Sequence, residues 1–230
     1  MPEILINNQS LHFFTSPHIG ENMYVITKGN KALAVDPNSS AEAIDLLNKN
    51  NIEEVTIFLT HEHPDHTCGI PSLQKRFKTT LICQQECARQ IAEKQNNRPI
   101  LIAFILAVED EKNGTQNEKN FIKNFEEYTC QADITFDGYF TYDWQGEHFV
   151  FQQTPGHSKG SCCIVWNEKA VFTGDSLLKD IPVITRFPGG NTKLYTTITK
   201  PYLDSLPEDM TVFPGHGRIF QMKEVREKAA

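Results

Sequence analysis

Apolar and polar residues alternate in short blocks along the first third of the chain. The apolar blocks predict strands near residues 23–27, over 32–35 and over 55–59, with a turn at 28–30 between the first two. The helical periodicity of residues 41–50, with Ser39 or Ser40 as its N-cap, predicts a helix before the third strand.

Helical and strand patterns continue through the rest of the chain. The spacing of apolar residues is helical over 68–77 and 84–94. Strand patterns resume later, at residues 149–153, 163–166, 171–173 and 211–213. The 230 residues contain no internal repeat and are enough for one large core, so we expect a single domain over 1–230. The mixture of elements favours an α/β or αββα architecture over a helix bundle.

One stretch of the chain does not fit this regular pattern. The apolar run 100–108 is followed by the polar, charged segment 109–127, which has an Asn-Gly pair near its centre. The polar segment is typical of a mobile loop leading into a short helix. We therefore predict an insertion or lid around residues 98–130 that lies over the core.

Composition limits the partners and the location of the protein. Lys and Arg number 22 against 29 Asp and Glu, a net charge of −7 without a basic cluster, which argues against a nucleic-acid substrate. The longest apolar run is too short for a membrane helix, and the N-terminus lacks the features of a signal peptide, so we expect a cytoplasmic protein. Six cysteines without a CxxC pair indicate reduced thiols.

Four of the apolar strands share one design, in which the strand ends in a tight turn followed by a potential metal ligand. VTIFLT precedes His61, FVFQQTPG precedes His157, AVFTG precedes Asp175, and TVFPG precedes His216. Residues just past the carboxyl ends of strands line one rim of an α/β sheet, so these side chains should meet there. Glycines at 156, 174 and 215 allow the turns to be tight.

The densest group of potential ligands is the motif His61-Glu62-His63-Pro64-Asp65-His66. Two histidines that are two residues apart cannot share one face of a helix, which excludes a helical zinc site. On a loop, the first two histidines can chelate one ion while Asp65 and His66 face a second. Imidazole nitrogens with a single carboxylate oxygen suit zinc best, and also manganese, iron or nickel.

Several other polar residues and the cysteines are candidates for supporting or structural roles. Asp36 also ends a strand, and it is either a turn former before a proline or a hydrogen-bonding support for the 61–66 loop. His12, His18 and His148 have no such context and are expected to be ordinary solvated residues. The cysteines are expected to be structural.

The motifs together resemble those of the metallo-β-lactamase superfamily. THEHPDH, TPGH at 154–157, FTGD at 172–175 and FPGH at 213–216 occur in the matching order within residues 20–217. The resemblance implies a four-layer αββα sandwich with two metal ions at one edge. It implies that His61, His63 and His157 hold the first ion. Asp65, His66 and His216 would hold the second, and Asp175 would bridge the two.

Within the superfamily, TPGHSKGS, GDSLL and RFPGGN are most similar to the small glyoxalase II-like, or hydroxyacylglutathione hydrolase-like, enzymes. These hydrolyse thioesters. Residues 179–186 (KDIPVITR) differ from the usual short glycine-rich segment, although Arg186 could take the place of its basic residue. Leu178 occupies the position of a tyrosine in the related lactonases, which argues against a lactonase.

The resemblance implies an enzyme that attacks a carbonyl substrate, most simply a small-molecule thioester, with a metal-bound hydroxide. Two divalent ions are expected, zinc first and iron or manganese as alternatives. Asp65 and Asp175 are the predicted catalytic carboxylates, and Lys159, Arg186 and Lys193 could bind a substrate carboxylate. The alternatives are an oxidoreductase similar to the mononuclear iron persulfide dioxygenases and, third, a phosphodiesterase.

Overall fold

The computed structural model describes residues 3–6, 9–17, 19–97 and 100–226, so His18 lies outside the described residues. Seven strands form the first sheet, in sequence order across it. They are β1 (Glu3–Ile6), β2 (Gln9–Thr15), β3 (Asn22–Lys28), β4 (Lys31–Val35), β5 (Glu54–Phe58), β6 (Lys78–Gln84) and β7 (Ile134–Phe136). Neighbours are antiparallel from β1 to β4 and parallel from β4 to β7.

Six strands form the second sheet, also in sequence order across it. They are β8 (Tyr139–Trp144), β9 (Glu147–Gln153), β10 (Cys162–Trp166), β11 (Ala170–Gly174), β12 (Thr211–Pro214) and β13 (Phe220–Gln221). All neighbours are antiparallel except β11 and β12, which are parallel. The strand patterns predicted from the sequence lie within these bounds or overlap them closely.

Helices connect the strands and cover both sheets. They are α1 (Ala41–Lys49), α2 (Pro64–Thr67), α3 (Ile70–Arg76), α4 (Gln85–Ile91), α5 (Ile100–Asn113), α6 (Asn117–Asn124), α7 (Thr192–Leu194), α8 (Lys200–Ser205) and α9 (Lys223–Arg226). A 3₁₀ turn covers Lys94–Asn97, and a π-helical turn at Tyr195–Thr199 joins α7 to α8. The N-cap of α1 is Ser40, whose hydroxyl accepts a hydrogen bond from the Ala43 amide at 3.2 Å. No helix in the described ranges is long and apolar enough to cross a bilayer.

Strand β4 shows how the sheets are covered on both faces. Ala32 and Ala34 point into an apolar cluster beneath α1, α3 and α4, whereas Leu33 and Val35 point into the core between the two sheets. That central core is rich in aromatic rings, and a third cluster packs helices against the outer face of the second sheet. Two sheets between two helical layers confirm the predicted αββα sandwich.

The segment predicted as a mobile loop at 109–127 is mostly helical. Helix α5 continues to residue 113, and α6 begins at Asn117. The carboxylate of Asp110 accepts hydrogen bonds from the backbone amides of Asn117 and Glu118, at 2.9 and 2.7 Å, which satisfies the free amides at the start of α6. Gly114 has a φ of 68°, a conformation that ends a helix and reverses the chain. The prediction of an insertion or lid at 98–130 within one domain remains a prediction.

Candidate metal centre

The predicted ligands follow the carboxyl ends of four strands. His61 and His63 lie on the loop after β5, and Pro64 starts α2, whose single turn carries Asp65 and His66. His157 follows β9, Asp175 follows β11, and His216 follows β12. The structure thus brings all seven side chains to one edge of the sandwich, between the two sheets.

The first group, which we call the first trio, consists of His61, His63 and His157. Nδ1 of His63 lies 3.1 Å from Nε2 of His61 and 3.0 Å from Nε2 of His157. Nitrogens bound to one tetrahedral zinc ion at about 2.0–2.1 Å would lie about 3.3 Å apart. The three rings therefore have the spacing of ligands around a single cation.

The second trio consists of Asp65, His66 and His216. Oδ2 of Asp65 lies 3.2 Å from Nε2 of His216 and 3.6 Å from Nε2 of His66. This combination of two imidazoles and one carboxylate suits a borderline divalent ion such as zinc, manganese or iron.

Asp175 lies between the two trios. Its Oδ2 is 3.5 Å from Nε2 of His157 in the first trio and 3.7 Å from Nε2 of His216 in the second. Its Oδ1 is buried and has no hydrogen-bond partner among the described residues, and the same is true of His66 Nε2. Because buried polar atoms are normally satisfied, these two atoms fit a metal centre better than a purely structural cluster.

The electrostatics differ between the two trios. Burial and the other histidines lower the pKa of His61 well below its ordinary value and that of His63 to about 4, so these rings are neutral and their lone pairs are available. Burial alone would raise the pKa of Asp65 and Asp175, but the neighbouring histidines outweigh it and both carboxylates stay ionised. In the second trio, burial alone would lower the pKa of His66 and His216, but the neighbouring carboxylates outweigh it and raise both values. Neutral imidazoles and ionised carboxylates are the forms that bind metals, so these two rings would release a proton when an ion binds.

A second set of contacts orients the ligand rings through their other nitrogens. His66 Nδ1 lies 3.0 Å from Oδ2 of Asp36, the residue considered above as either a turn former or a support. His157 Nδ1 lies 2.8 Å from the carbonyl of Ile184, and His216 Nδ1 lies 3.1 Å from the carbonyl of Ile19. Contacts of this kind fix the tautomer so that Nε2 is free for an ion.

Two glycines are required by the crowding of the centre. A Cβ atom at Gly215 would lie 2.3 Å from Oδ1 of Asp175 and 2.7 Å from Cε1 of His66. Gly174 has a φ of 48°, and a Cβ there would lie 2.2 Å from Oγ1 of Thr60. Both positions therefore exclude side chains so that the ligand segments can approach each other.

The structure also shows contacts around the centre that sequence patterns do not predict. Glu62 is buried within the ligand motif, and its carboxylate accepts hydrogen bonds from the Ser158 hydroxyl at 2.8 Å and the Gly160 amide at 3.4 Å. It thereby ties the 61–66 loop to the loop of His157. In the sequence, the only sign of this contact is the position of Glu62 between two ligand histidines.

Tyr128 makes a similar link from the other side. Its hydroxyl lies 2.6 Å from Oγ1 of Thr67, and Thr67 donates to the carbonyl of His63 at 3.1 Å. No local pattern in the sequence pairs residue 128 with residue 67, so this contact could be found only from the fold.

The remaining residues considered from the sequence lie outside the two trios. Lys159, Arg186 and Lys193 are exposed and make no ion pair among the described residues. His148 bonds to Asp143 at 2.7 Å, and His12 lies on β2. All six cysteines are free, and five of them are buried.

A family model described as the Metallo-beta-lactamase superfamily matches residues 18–216. The chain belongs to this superfamily. The match includes all seven side chains of the centre, and it confirms the resemblance drawn from the motifs.

Curated relatives within this superfamily carry hydrolase names. A protein named "Probable metallo-hydrolase" from Streptococcus pyogenes serotype M6 is 27% identical over 206 residues, which cover 88% of this chain and 82% of that protein. A hydroxyacylglutathione hydrolase from Tolumonas auensis is 28% identical over 200 residues, or 84% of this chain. A second, from Pelagibacter ubique, is 25% identical over 190 residues, or 81% of this chain. The matches span only 60% and 62% of these two hydrolases.

Solved structures of superfamily members share the fold at lower identity. The B3 metallo-β-lactamase BLEG-1 superposes with a TM-score of 0.74 at 23% identity, covering 94% of this chain and 96% of that one. ETHE1 from Myxococcus xanthus superposes with a TM-score of 0.65 at 20% identity, covering 93% and 80%.

Proposed function

We propose that the protein is a metal-dependent hydrolase that cleaves thioesters. The observation that carries the proposal is the pair of trios with Asp175 between them, because this arrangement offers ligands for two ions and one carboxylate within reach of both. His61, His63 and His157 would hold one ion, and Asp65, His66 and His216 the other. Asp36 would support the second trio through His66.

Divalent ions at the two trios would lower the pKa of a coordinated water to about 7 and so supply a nucleophile at neutral pH. The protein's own side chains would orient the attacking water and take up its proton. Asp175 is ionised, and its carboxylate would hold the attacking water and accept its proton. Asp65 stays ionised beside it and balances positive charge.

The thioester assignment is supported by the relatives named hydroxyacylglutathione hydrolase and by the motifs TPGHSKGS and GDSLL. A thiolate, with an ordinary pKa of about 8.5, leaves readily without a strong acid beside it. Exposed Lys159, Arg186 and Lys193 would attract a carboxylate on a small-molecule substrate.

The test combines metal analysis with kinetics. Protein reconstituted separately with zinc, manganese and iron(II) is assayed on a panel of thioesters, lactones, β-lactams and phosphodiesters. We expect two ions per chain and turnover of thioesters, with losses of at least about 100-fold in His63→Ala and Asp175→Ala and no loss in the control His148→Ala. Full thioesterase turnover in His63→Ala or Asp175→Ala would refute this function. One iron per chain with oxygen uptake on a persulfide would favour the dioxygenase alternative.

A further inference from the structure

The segment 179–187, which we call the rim segment, runs beside both trios. The Ile184 carbonyl lies 2.8 Å from Nδ1 of His157, and the Phe187 ring centroid lies 6.1 Å from that of His63. At the other end, Cδ1 of Ile181 lies 3.9 Å from the position of a Cβ atom on Gly217, the residue after His216. The rim segment therefore passes from the second trio to the first.

The rim segment presents apolar side chains to solvent next to a charged centre. Ile181 is 46% exposed and Ile184 is 41% exposed. Eight large apolar side chains are exposed among the described residues, and these two lie three positions apart in the rim segment. Single exposed apolar residues are common on protein surfaces, but a concentration of them beside a reaction centre indicates a binding surface.

Contacts at both ends hold the rim segment against the protein. Nζ of Lys179 donates to the carbonyl of Glu224, and Asp180 lies 3.4 Å from Nε of Arg218. Near the other end, Oγ1 of Thr185 lies 2.7 Å from Oγ1 of Thr192. The isoleucines are thus presented on a backbone that is fixed by side-chain and backbone contacts, which reduces the entropy lost when a ligand covers them.

We propose that the rim segment is an apolar subsite for the acyl group, so that the substrates are thioesters of apolar acyl chains. This inference rests on the proposed function. In the reaction, the hydroxyl of water adds to the carbonyl carbon, the C–S bond breaks, and the thiolate takes up the remaining proton, giving a carboxylic acid and a thiol.

We assign the acyl group, rather than the thiol, to this surface because of the charged residues that lie outside the rim segment. The acyl group and the thiol are both bonded to the carbonyl carbon, which would lie at the trios, so either could reach the rim segment, whose Phe187 ring and Ile184 carbonyl lie beside the first trio. Lys159 and Lys193, exposed and outside the rim segment, offer charge and suit polar groups on the thiol, which leaves the exposed isoleucines of the rim segment to the acyl group.

The experiment uses the zinc-loaded protein and a series of thioesters of N-acetylcysteamine with acetyl, butanoyl, hexanoyl and octanoyl groups. Each methylene covered by the subsite should raise kcat/KM by about two- to fourfold, so the hexanoyl ester should exceed the acetyl ester by at least about tenfold. Inhibition of the unmodified protein by the matching carboxylates should strengthen along the same series.

Variants then locate the effect. Ile184→Asn and Ile181→Asn should each reduce the ratio of hexanoyl to acetyl kcat/KM by about threefold or more, with unchanged metal content. Ile122→Asn is the matched control, since Ile122 on α6 is 47% exposed but lies outside the rim segment, and it should keep the full ratio.

The two proposals fail in different ways. A flat acyl series in an active enzyme, or a chain-length dependence that survives both rim variants, would overturn the apolar subsite and leave the thioesterase standing. Absence of turnover on every thioester would overturn the proposed function itself and the subsite with it.

Discussion

Replacement of Asp36 by Asn tests how the fold prepares His66 to bind a metal ion. The Asp36 carboxylate accepts hydrogen bonds from the amide of Thr60 at 2.7 Å and from its hydroxyl at 2.5 Å, and it lies 3.0 Å from Nδ1 of His66. In the neutral, metal-binding form of His66, these contacts keep the ring proton on Nδ1, so that the lone pair of Nε2 points towards Asp65 and His216 of the same trio.

The Asn variant keeps the shape of Asp36 but reverses the two contacts made by Oδ2. Asp36 has a φ of 51°, a conformation that asparagine adopts readily, so the backbone should be preserved. The Thr60 amide donates to Oδ1 of Asp36, whereas the Thr60 hydroxyl and Nδ1 of His66 both lie at Oδ2. If the amide oxygen takes the place of Oδ1, the amide nitrogen takes the place of Oδ2 and donates to Nδ1 of His66 and to the Thr60 hydroxyl oxygen. The ring proton then moves to Nε2, which can no longer bind an ion.

The expected loss of affinity can be bounded from comparable contacts. Removal of a hydrogen-bonding partner behind a metal ligand lowers affinity by about 10- to 100-fold, or about 1.4–2.7 kcal/mol. The second ion should lose more affinity than the first, because Asp36 contacts His66 directly but reaches His61 of the first trio only through the Thr60 hydroxyl.

The affinity for each ion is measured by competition with a chromophoric zinc chelator. Asp133→Asn is the matched control, since Asp133 also accepts a backbone hydrogen bond, from the Leu81 amide at 2.7 Å, but lies outside the centre. If Asp36→Asn binds two zinc ions with the affinities of the unmodified protein, the tautomer of His66 does not depend on Asp36 and the reasoning is wrong.

Two further predictions concern stability. Tyr128→Phe removes the hydroxyl contact to Thr67 and should lower the free energy of unfolding in urea by about 1 kcal/mol. Tyr139→Phe, at an exposed site, should not lower it, and equal urea midpoints for the two variants would contradict this prediction. Hydrogen bonds and charge from two lysines on the adjacent strands lower the pKa of Glu54 to about 2. Its contribution to the free energy of unfolding is therefore present above pH 4.5 and lost as the pH falls towards 2. Glu54→Gln in metal-free protein should therefore flatten the loss of stability over that range relative to Glu42→Gln, and parallel pH curves would refute it.

The ligand positions could be predicted because each of them follows a strand with a strong local pattern. The runs before His61, Asp175 and His216 are mostly apolar rather than strictly alternating, as expected when both faces of a sheet are covered, and the strands observed there match. Metal chemistry then requires His and Asp at adjacent strand ends. Local pattern and chemistry together led to one arrangement.

Contacts that depend on distant segments could not be predicted in this way. The hydroxyl of Tyr128 reaches Thr67 only because the chain after α6 returns along α2, and no periodicity encodes that path. The helical hairpin of α5 and α6 differs from the predicted loop for a related reason. Its polar sequence resembles a loop, and the N-terminus of α6 is capped by Asp110 from the preceding helix. The exposure of Ile181 and Ile184 likewise follows from tertiary placement.

The spacing of the ligands along the polypeptide has a consequence for biosynthesis. His61 and His216, at the two ends of the set, belong to different sheets, so neither trio's surroundings exist until the second sheet has packed on the first. During translation, a ribosome-bound chain could not offer a complete site before its last strands had emerged. Uptake of the ions would therefore be a late event that reports completion of the sandwich, and cells short of metal would accumulate finished but inactive chains.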